Sequence, residues 1–150
     1  KLGQHASDGR EAIKEVLHSP GLFGASILHG EEVRGDFAQA KLVRVVQGEV
    51  LDVAVDLREN SPTFSKHFSV ILSDENKRQL FVPRGFAHGF VVLADNTVFS
   101  YKCDNFYNKA SERGIVFNDK ILNIDWKLPE EQLIISEKDL VLPEFKHTKL

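Results

Sequence analysis

Residues 49–58 read EVLDVAVDLR and residues 83–90 read PRGFAHGF. In the first stretch Leu51, Val53, Val55 and Leu57 alternate with Val50, Asp52, Ala54 and Asp56, the two-residue period of a β-strand. In the second, the turn signal Pro83-Arg84-Gly85 runs into His88, set among Phe86, Ala87, Gly89 and Phe90. Carboxylates on one side of a strand and an imidazole among aromatic rings can wall a reactive pocket. The plainer alternative for Asp52 and Asp56 is the solvated face of an antiparallel sheet. For His88 it is a core imidazole bonded to a backbone carbonyl. If the strand lines a barrel, its polar side turns to a concave interior and Asp52 can orient His88.

Working outward, short strands separated by turns extend from Lys41. They are expected at Leu42–Val46, Glu49–Leu57, His67–Leu72, Gln79–Val82, Gly89–Ala94, Thr97–Cys103 and Gly114–Phe117. Gln47-Gly48, Asn60-Ser61-Pro62, Asp74-Glu75-Asn76, Pro83-Arg84-Gly85 and Asp95-Asn96 supply the turns. Strands at this spacing predict a mainly β fold, a jelly-roll barrel or sandwich. The N-terminal part reads differently. Asp8 with Glu11 resembles a capping box, and Ala12, Ile13, Val16 and Leu17 share a helical face that Ser19-Pro20-Gly21 ends. One short helix is expected there, followed by a loose stretch with a strand around Ser26–His29. The tail from Asn118 reads as an ordered extension with one turn of helix near Pro129–Gln132.

The 150 residues make one domain, 1–150, whose segment 1–37 is atypical, and a chain this long buries about 70% of its unfolded surface. A net charge of −3 gives no basic surplus for nucleic acid or an anionic membrane. The lone Cys103 has no partner for an internal disulfide, which suits a reducing compartment. No apolar run approaches the roughly 18 residues of a membrane span, and no signal-peptide pattern opens the chain. The expected location is the cytoplasm.

Other candidate chemistry is sparse. Tyr101 shares a strand face with Phe99, so it is either core or a phenol poised as a proton donor. Tyr107 follows Asp104-Asn105-Phe106 in a turn, placed to stack on a planar ligand. His88 has no histidine one residue away, so a metal site is not expected. There is no phosphate-cradling Gly-Lys-Ser/Thr loop, no G-x-G-x-x-G and no nucleophile elbow.

Four blocks carry a specific likeness: AQAKLVRVVQGEVLDVAVDLRENSPTF, ENKRQLFVPRGFAHGFVVL, YKCDNFYNKASERGI and NIDWKLPEEQLIISEKD. Together, from about Ala38 to Asp139, they resemble the dTDP-4-dehydrorhamnose 3,5-epimerase family. The resemblance implies a cupin-type jelly roll that forms a homodimer and works with no metal and no other cofactor. Its substrate would be a nucleotide sugar of the dTDP-4-keto-6-deoxyglucose type, inverted at the two carbons flanking the 4-keto group on the way to dTDP-L-rhamnose. It implies that Lys41 stabilises the enolate, that Tyr101 donates the proton and that Asp139 pairs with the catalytic histidine. The same likeness implies that His88 lines the site with Asp52 near it, that Tyr107 packs on the base, and that Arg34, Asp52 and Glu112 join the substrate-binding set.

The chain departs from the family pattern in its N-terminal part, where the family's upstream D-x-R-G-x-F and F-V-Q-x-N segments are not recognisable. The family's base is a histidine in an R-G-L-H-F-Q segment ahead of A-Q-G/A-K-L, whereas here Val33-Arg34-Gly35-Asp36-Phe37 runs straight into Ala38-Gln39-Ala40-Lys41. Three readings stay open: residues are missing between Phe37 and Ala38, His29 or His5 supplies the base, or the shell has lost the reaction. The expected function is therefore an epimerase, with a catalytically silent sugar-nucleotide-binding module or a related ketoisomerase as the alternatives.

Overall fold

The computed structural model describes residues 38–106 and 113–148 in full, together with the backbone of three strands ahead of them. Those three are β1 (Gly3–Ser7), β2 (Glu11–His18) and β3 (Phe23–Gly24). Six more follow: β4 (Lys41–Gln47), β5 (Glu49–Asp56), β6 (His67–Ser73), β7 (Gln79–Val82), β8 (Phe86–Val92) and β9 (Thr97–Cys103). They form two antiparallel sheets, ordered β1-β2-β9-β4-β7 and β3-β8-β5-β6. This is the expected jelly roll. Among the described residues no helix is long and apolar enough to cross a membrane.

Six of the expected strands are present with ends shifted by up to three residues. Two expectations are overturned. The amphipathic run Glu11–His18 is not a helix but β2, paired with β9 from Ala12↔Cys103 to His18↔Thr97. A ladder over that length overrides a local period that fits a helix equally well. Gly114–Phe117 is not a strand either. Ile115 and Phe117 are buried there as core side chains, while the Val116 amide bonds Pro143 O outside any ladder. The expected strand at Ser26–His29 lies outside the described residues. The tail is ordered as expected, with a single 3-10 turn at Glu130–Gln132.

Two apolar clusters hold the fold. Between the sheets pack Val43 and Val45 from β4, Val50 from β5, Leu72 from β6, Phe90 and Val92 from β8, and Phe99 from β9. The second cluster lies on the opposite face of β5 and β8. There Leu51, Val53, Val55, Leu57, Ala87 and Val91 meet Ile115, Phe117, Leu122 and Trp126 from the C-terminal segment. Trp126 Nε1 donates to Phe117 O at 2.8 Å, so its polar atom is satisfied inside the cluster. Each large side chain fully buried this way contributes about 1.5–3 kcal/mol. β5 is thus covered on both faces, and its carboxylates are not on a solvated surface.

The two ends of the sandwich differ. At one end Gly48 turns the chain from β4 in one sheet to β5 in the other with φ +83°, and a Cβ there would lie 2.3 Å from Thr97 Oγ1. Only glycine fits that closed corner. The other end holds Lys41, Val82 and Cys103 side by side, with the Pro83–Gly85 turn crossing from β7 to β8. That end, where Lys41 lies, is termed the mouth.

Candidate functional site

The alternation noted in residues 49–58 places Val50, Asp52 and Ala54 on the inner face of β5. In the β5–β8 ladder Asp52 is opposite Phe90 and Ala54 is opposite His88, so Asp52 and His88 form a diagonal pair on that face. His88 Nε2 lies 3.0 Å from each oxygen of Asp52. A carboxylate can only accept, so Nε2 donates and the ring orientation is fixed. Asp52 is 0% exposed and His88 4%. The imidazole sits against Phe90 and Phe99, with ring centroids 6.4 and 6.5 Å away. The structure thus chooses the interior reading for both residues.

The opposite sheet supplies the other half. Lys41 opens β4 and faces inward with Val43 and Val45, while Leu42, Arg44 and Val46 face out. A lysine this well buried, 6% exposed, stands out on a strand that otherwise points its long polar chains outward. On β9 the inward set is Phe99, Tyr101 and Cys103. Tyr101 is the cross-strand partner of Val43, one step from Lys41, and its ring lies 6.0 Å from Phe99. Phe99 is therefore a ring neighbour of both His88 and Tyr101 within one interior. Lys41 and Tyr101 face this interior from one sheet, and His88 with Asp52 from the other.

Asp139 enters from a different element. It lies in the one-turn helix α1 (Glu137–Leu140), buried, with Ser136 Oγ donating to its Oδ2. The flanking Ile135 and Leu142 pack on the outer cluster. Arg34, Tyr107 and Glu112 lie outside the described residues, as does the side chain of His5 and all of His29. Among the described residues no three His, Cys, Asp or Glu side chains come together in a way that could hold a metal ion.

Two charged pairs, Asp56–Arg58 and Arg84–Asp104, brace this end of the sandwich. Asp56, 1% exposed, accepts from Arg58 N, Nε and Nη2 at 3.0, 2.8 and 2.8 Å, and from the hydroxyls of Ser61 and Thr63. The Arg58 guanidinium, aided by the two hydroxyls, holds the Asp56 carboxyl far below the usual carboxylate range, against the opposing effect of burial. Arg58 also lies 4.6 Å above the Phe86 ring and against Gly85. Across the same turn Arg84 pairs with Asp104 at 3.1 Å. Asp56 and Arg58 stand only two residues apart, whereas the Arg84–Asp104 pairing spans 20 residues and is not readable from spacing.

Comparison with known proteins follows the same lines. The family model for dTDP-4-dehydrorhamnose 3,5-epimerase matches residues 26–147. A dTDP-4-dehydrorhamnose 3,5-epimerase of Shigella flexneri is 58% identical over 104 residues, which are 69% of this chain and 56% of the relative. The chain therefore spans little more than half the length of that relative. The crystal structure of dTDP-4-dehydrorhamnose 3,5-epimerase from Elizabethkingia anophelis superposes with a TM-score of 0.83 at 55% identity, covering 92% of this chain and 72% of that one. The Legionella pneumophila dTDP-6-deoxy-D-glucose-3,5-epimerase, solved in complex with dTDP-4-keto-L-rhamnose, gives a TM-score of 0.84 at 40% identity. It covers 96% of this chain and 73% of its own. With a family match over most of its length and identities above one half, this chain belongs to the dTDP-4-dehydrorhamnose 3,5-epimerase family.

Proposed function

We propose that the chain acts as a 3,5-epimerase on a dTDP-linked 4-keto-6-deoxyhexose, within dTDP-L-rhamnose synthesis. The observation that carries this is the convergence of Lys41 and Tyr101 on one sheet with the Asp52–His88 pair on the other, in one walled interior. Removing a proton next to a ketone leaves an enolate whose oxygen needs a positive or hydrogen-bonding partner. Lys41 takes that role, and His88, oriented by Asp52 through Nε2, supports it. Tyr101 returns a proton to carbon as the general acid. The interior they share is largely apolar, which strengthens each of these interactions relative to water. The Legionella relative bound to dTDP-4-keto-L-rhamnose supports the substrate class.

The base that removes the proton falls to the N-terminal part, His5 or His29, or to the segment the family carries at the position of Phe37–Ala38. Asp139 acts as the carboxylate partner of that histidine, and Arg34, Tyr107 and Glu112 hold the nucleotide. Two copies of the chain associate. Leu42 and Phe81, cross-strand partners on the outer face of their sheet, are 40% and 61% exposed and offer an apolar patch for this. Cys103, the single cysteine of the sequence, suits action in the cytoplasm.

Solvent exchange tests the reading. Incubated with dTDP-4-keto-6-deoxyglucose in deuterated water, the chain should place deuterium at C3 and C5. Nucleotide-sugar binding by calorimetry with no deuterium at either carbon would overturn it in favour of a silent binding module. A product with the keto group moved would mark a ketoisomerase.

A further inference from the structure

The Arg84–Asp104 pair is more than a surface ion pair, because Asp104 spends its two oxygens on different strands. Its Oδ2 accepts from Arg84 Nε at 3.1 Å, on the turn that leads into β8 and His88. Its Oδ1 accepts from Ala40 N at 2.7 Å, immediately before Lys41. Asp104 itself follows β9, three residues past Tyr101, and its own amide donates to Ala40 O at 3.2 Å. Next to it Asn105 Nδ2 donates to Ala38 O and Gln39 Nε2 donates to Asn105 O. The segment 38–40 is thereby fastened to the end of β9 beyond the last ladder pair, Lys41↔Cys103.

The turn at Pro83–Gly85 is gripped from the other sheet as well. Leu57 N donates to Gly85 O at 3.0 Å, and the Arg58 side chain lies where a Cβ on Gly85 would be. The residues proposed to act on one substrate are divided between the two sheets. We propose that Asp104 is a positioning residue that sets the separation of Lys41 and Tyr101 from His88 by tying β4, β9 and the β8 turn to one carboxylate. It touches no substrate. Its effect passes through Ala40 and Arg84.

An ion pair as exposed as this, with Arg84 51% and Asp104 46% accessible, contributes little to global stability. Positioning and folding are therefore separable by experiment. The catalytic readout rests on the proposed epimerase reading. Asp104→Asn keeps an acceptor for Ala40 N and removes the charge facing Arg84, whereas Arg84→Met removes the same pair from the other side. Each should lower kcat for C3/C5 exchange about tenfold, the scale of a sub-ångström misplacement, with KM changed less than about twofold. Thermal midpoints should stay within about 3 °C of the unsubstituted chain. The double variant should be no slower than either single, because both break one interaction. Asp104→Ala should also speed amide hydrogen exchange at Ala40 at least about tenfold while Val53, deep in β5, keeps its protection.

Unchanged kcat in both single variants, additive losses in the double, or an Ala40 exchange rate untouched by Asp104→Ala would each overturn the assignment. If the unsubstituted chain incorporates no deuterium, the epimerase reading fails on its own. Ala40 hydrogen exchange in Asp104→Ala then decides the positioning role without any turnover.

Discussion

Asp56→Asn isolates the brace at the mouth. The Asp56 carboxylate takes five hydrogen bonds, three from Arg58 and one each from Ser61 and Thr63, with almost no exposure of its own. An asparagine of the same shape keeps one acceptor oxygen. Whichever way the amide turns, it presents an NH2 group either to Arg58 N and Nε or to Arg58 Nη2. The serine and threonine hydroxyls can rotate and accept, but the guanidinium cannot. Breaking a buried, charged hydrogen-bond set costs about 3–5 kcal/mol when both partners are buried. Here the Arg58 side chain is 49% exposed and regains water, so the expected loss is lower, about 2–3 kcal/mol. For a chain of this size that corresponds to a fall of roughly 4–12 °C in thermal midpoint. The pH dependence carries the sharper test. The folded Asp56 pKa lies below its unfolded value near 3.9, so its stabilisation is present in full above that value and is lost as pH falls toward the folded one. Urea unfolding of the two proteins, followed by circular dichroism, should give a constant gap from pH 8 to pH 5. Below pH 4 the gap should shrink by about 1.4 kcal/mol per pH unit, since asparagine does not titrate. A gap under about 1 kcal/mol at pH 7 would refute the brace, and one that persists undiminished at pH 3 would refute its electrostatic origin.

Three further outcomes follow from the same geometry. Gly48→Ala places a methyl group 2.3 Å from Thr97 Oγ1 and 2.9 Å from its Cα at a positive φ, and should destabilise by about 2 kcal/mol or more in calorimetry; a native-like midpoint contradicts the closed corner. Tyr101→Phe removes the proposed proton donor but keeps the ring against Phe99, so product formation should fall about a hundredfold or more while the fold is kept; an active variant removes Tyr101 from the proposed mechanism. His88→Ala leaves the Asp52 carboxylate buried without its imidazole and should cost about 3–5 kcal/mol, whereas Asp52→Asn with His88→Ala should cost less than the sum of the singles; additive unfolding energies would show the pair is uncoupled.

The alternation in residues 49–58 was enough to place β5, and six strands came from period and turn chemistry alone. What local pattern could not decide was the side each face looks toward. Val50, Asp52, Ala54 and Asp56 have the composition of a half-wet face, and only the second sheet and its Phe90–Phe99 contact make that face an interior. Glu11–His18 fits a helix by the spacing of Ala12, Ile13, Val16 and Leu17, yet its partner β9 lies some 80 residues away in sequence, from Thr97 to Cys103. Ile115 and Phe117 were readable as buried but not as unladdered, because apolar content marks burial and leaves hydrogen bonding open. Motif likeness singled out Lys41, Tyr101, His88 and Asp139 as candidates, and of these Lys41, Tyr101 and His88 face the interior between the sheets. The braces at Asp56 and Asp104 were not readable, because their partners meet only once the turns have formed.

The double covering of β5 has a consequence for how the protein is made. Its inner neighbours, from Val43 to Phe99, precede residue 100, so the sandwich between the sheets can close as soon as β9 is synthesised. Its outer neighbours, Ile115, Phe117, Leu122 and Trp126, are translated later. For that interval the nascent chain presents Leu51, Val53, Val55, Leu57, Ala87 and Val91 as a bare apolar wall, the kind of surface that chaperones hold and that aggregates when crowded. A nascent chain arrested once Cys103 has cleared the ribosomal tunnel should therefore be a half-clad intermediate, with the sandwich strands formed and their outer lining still to come.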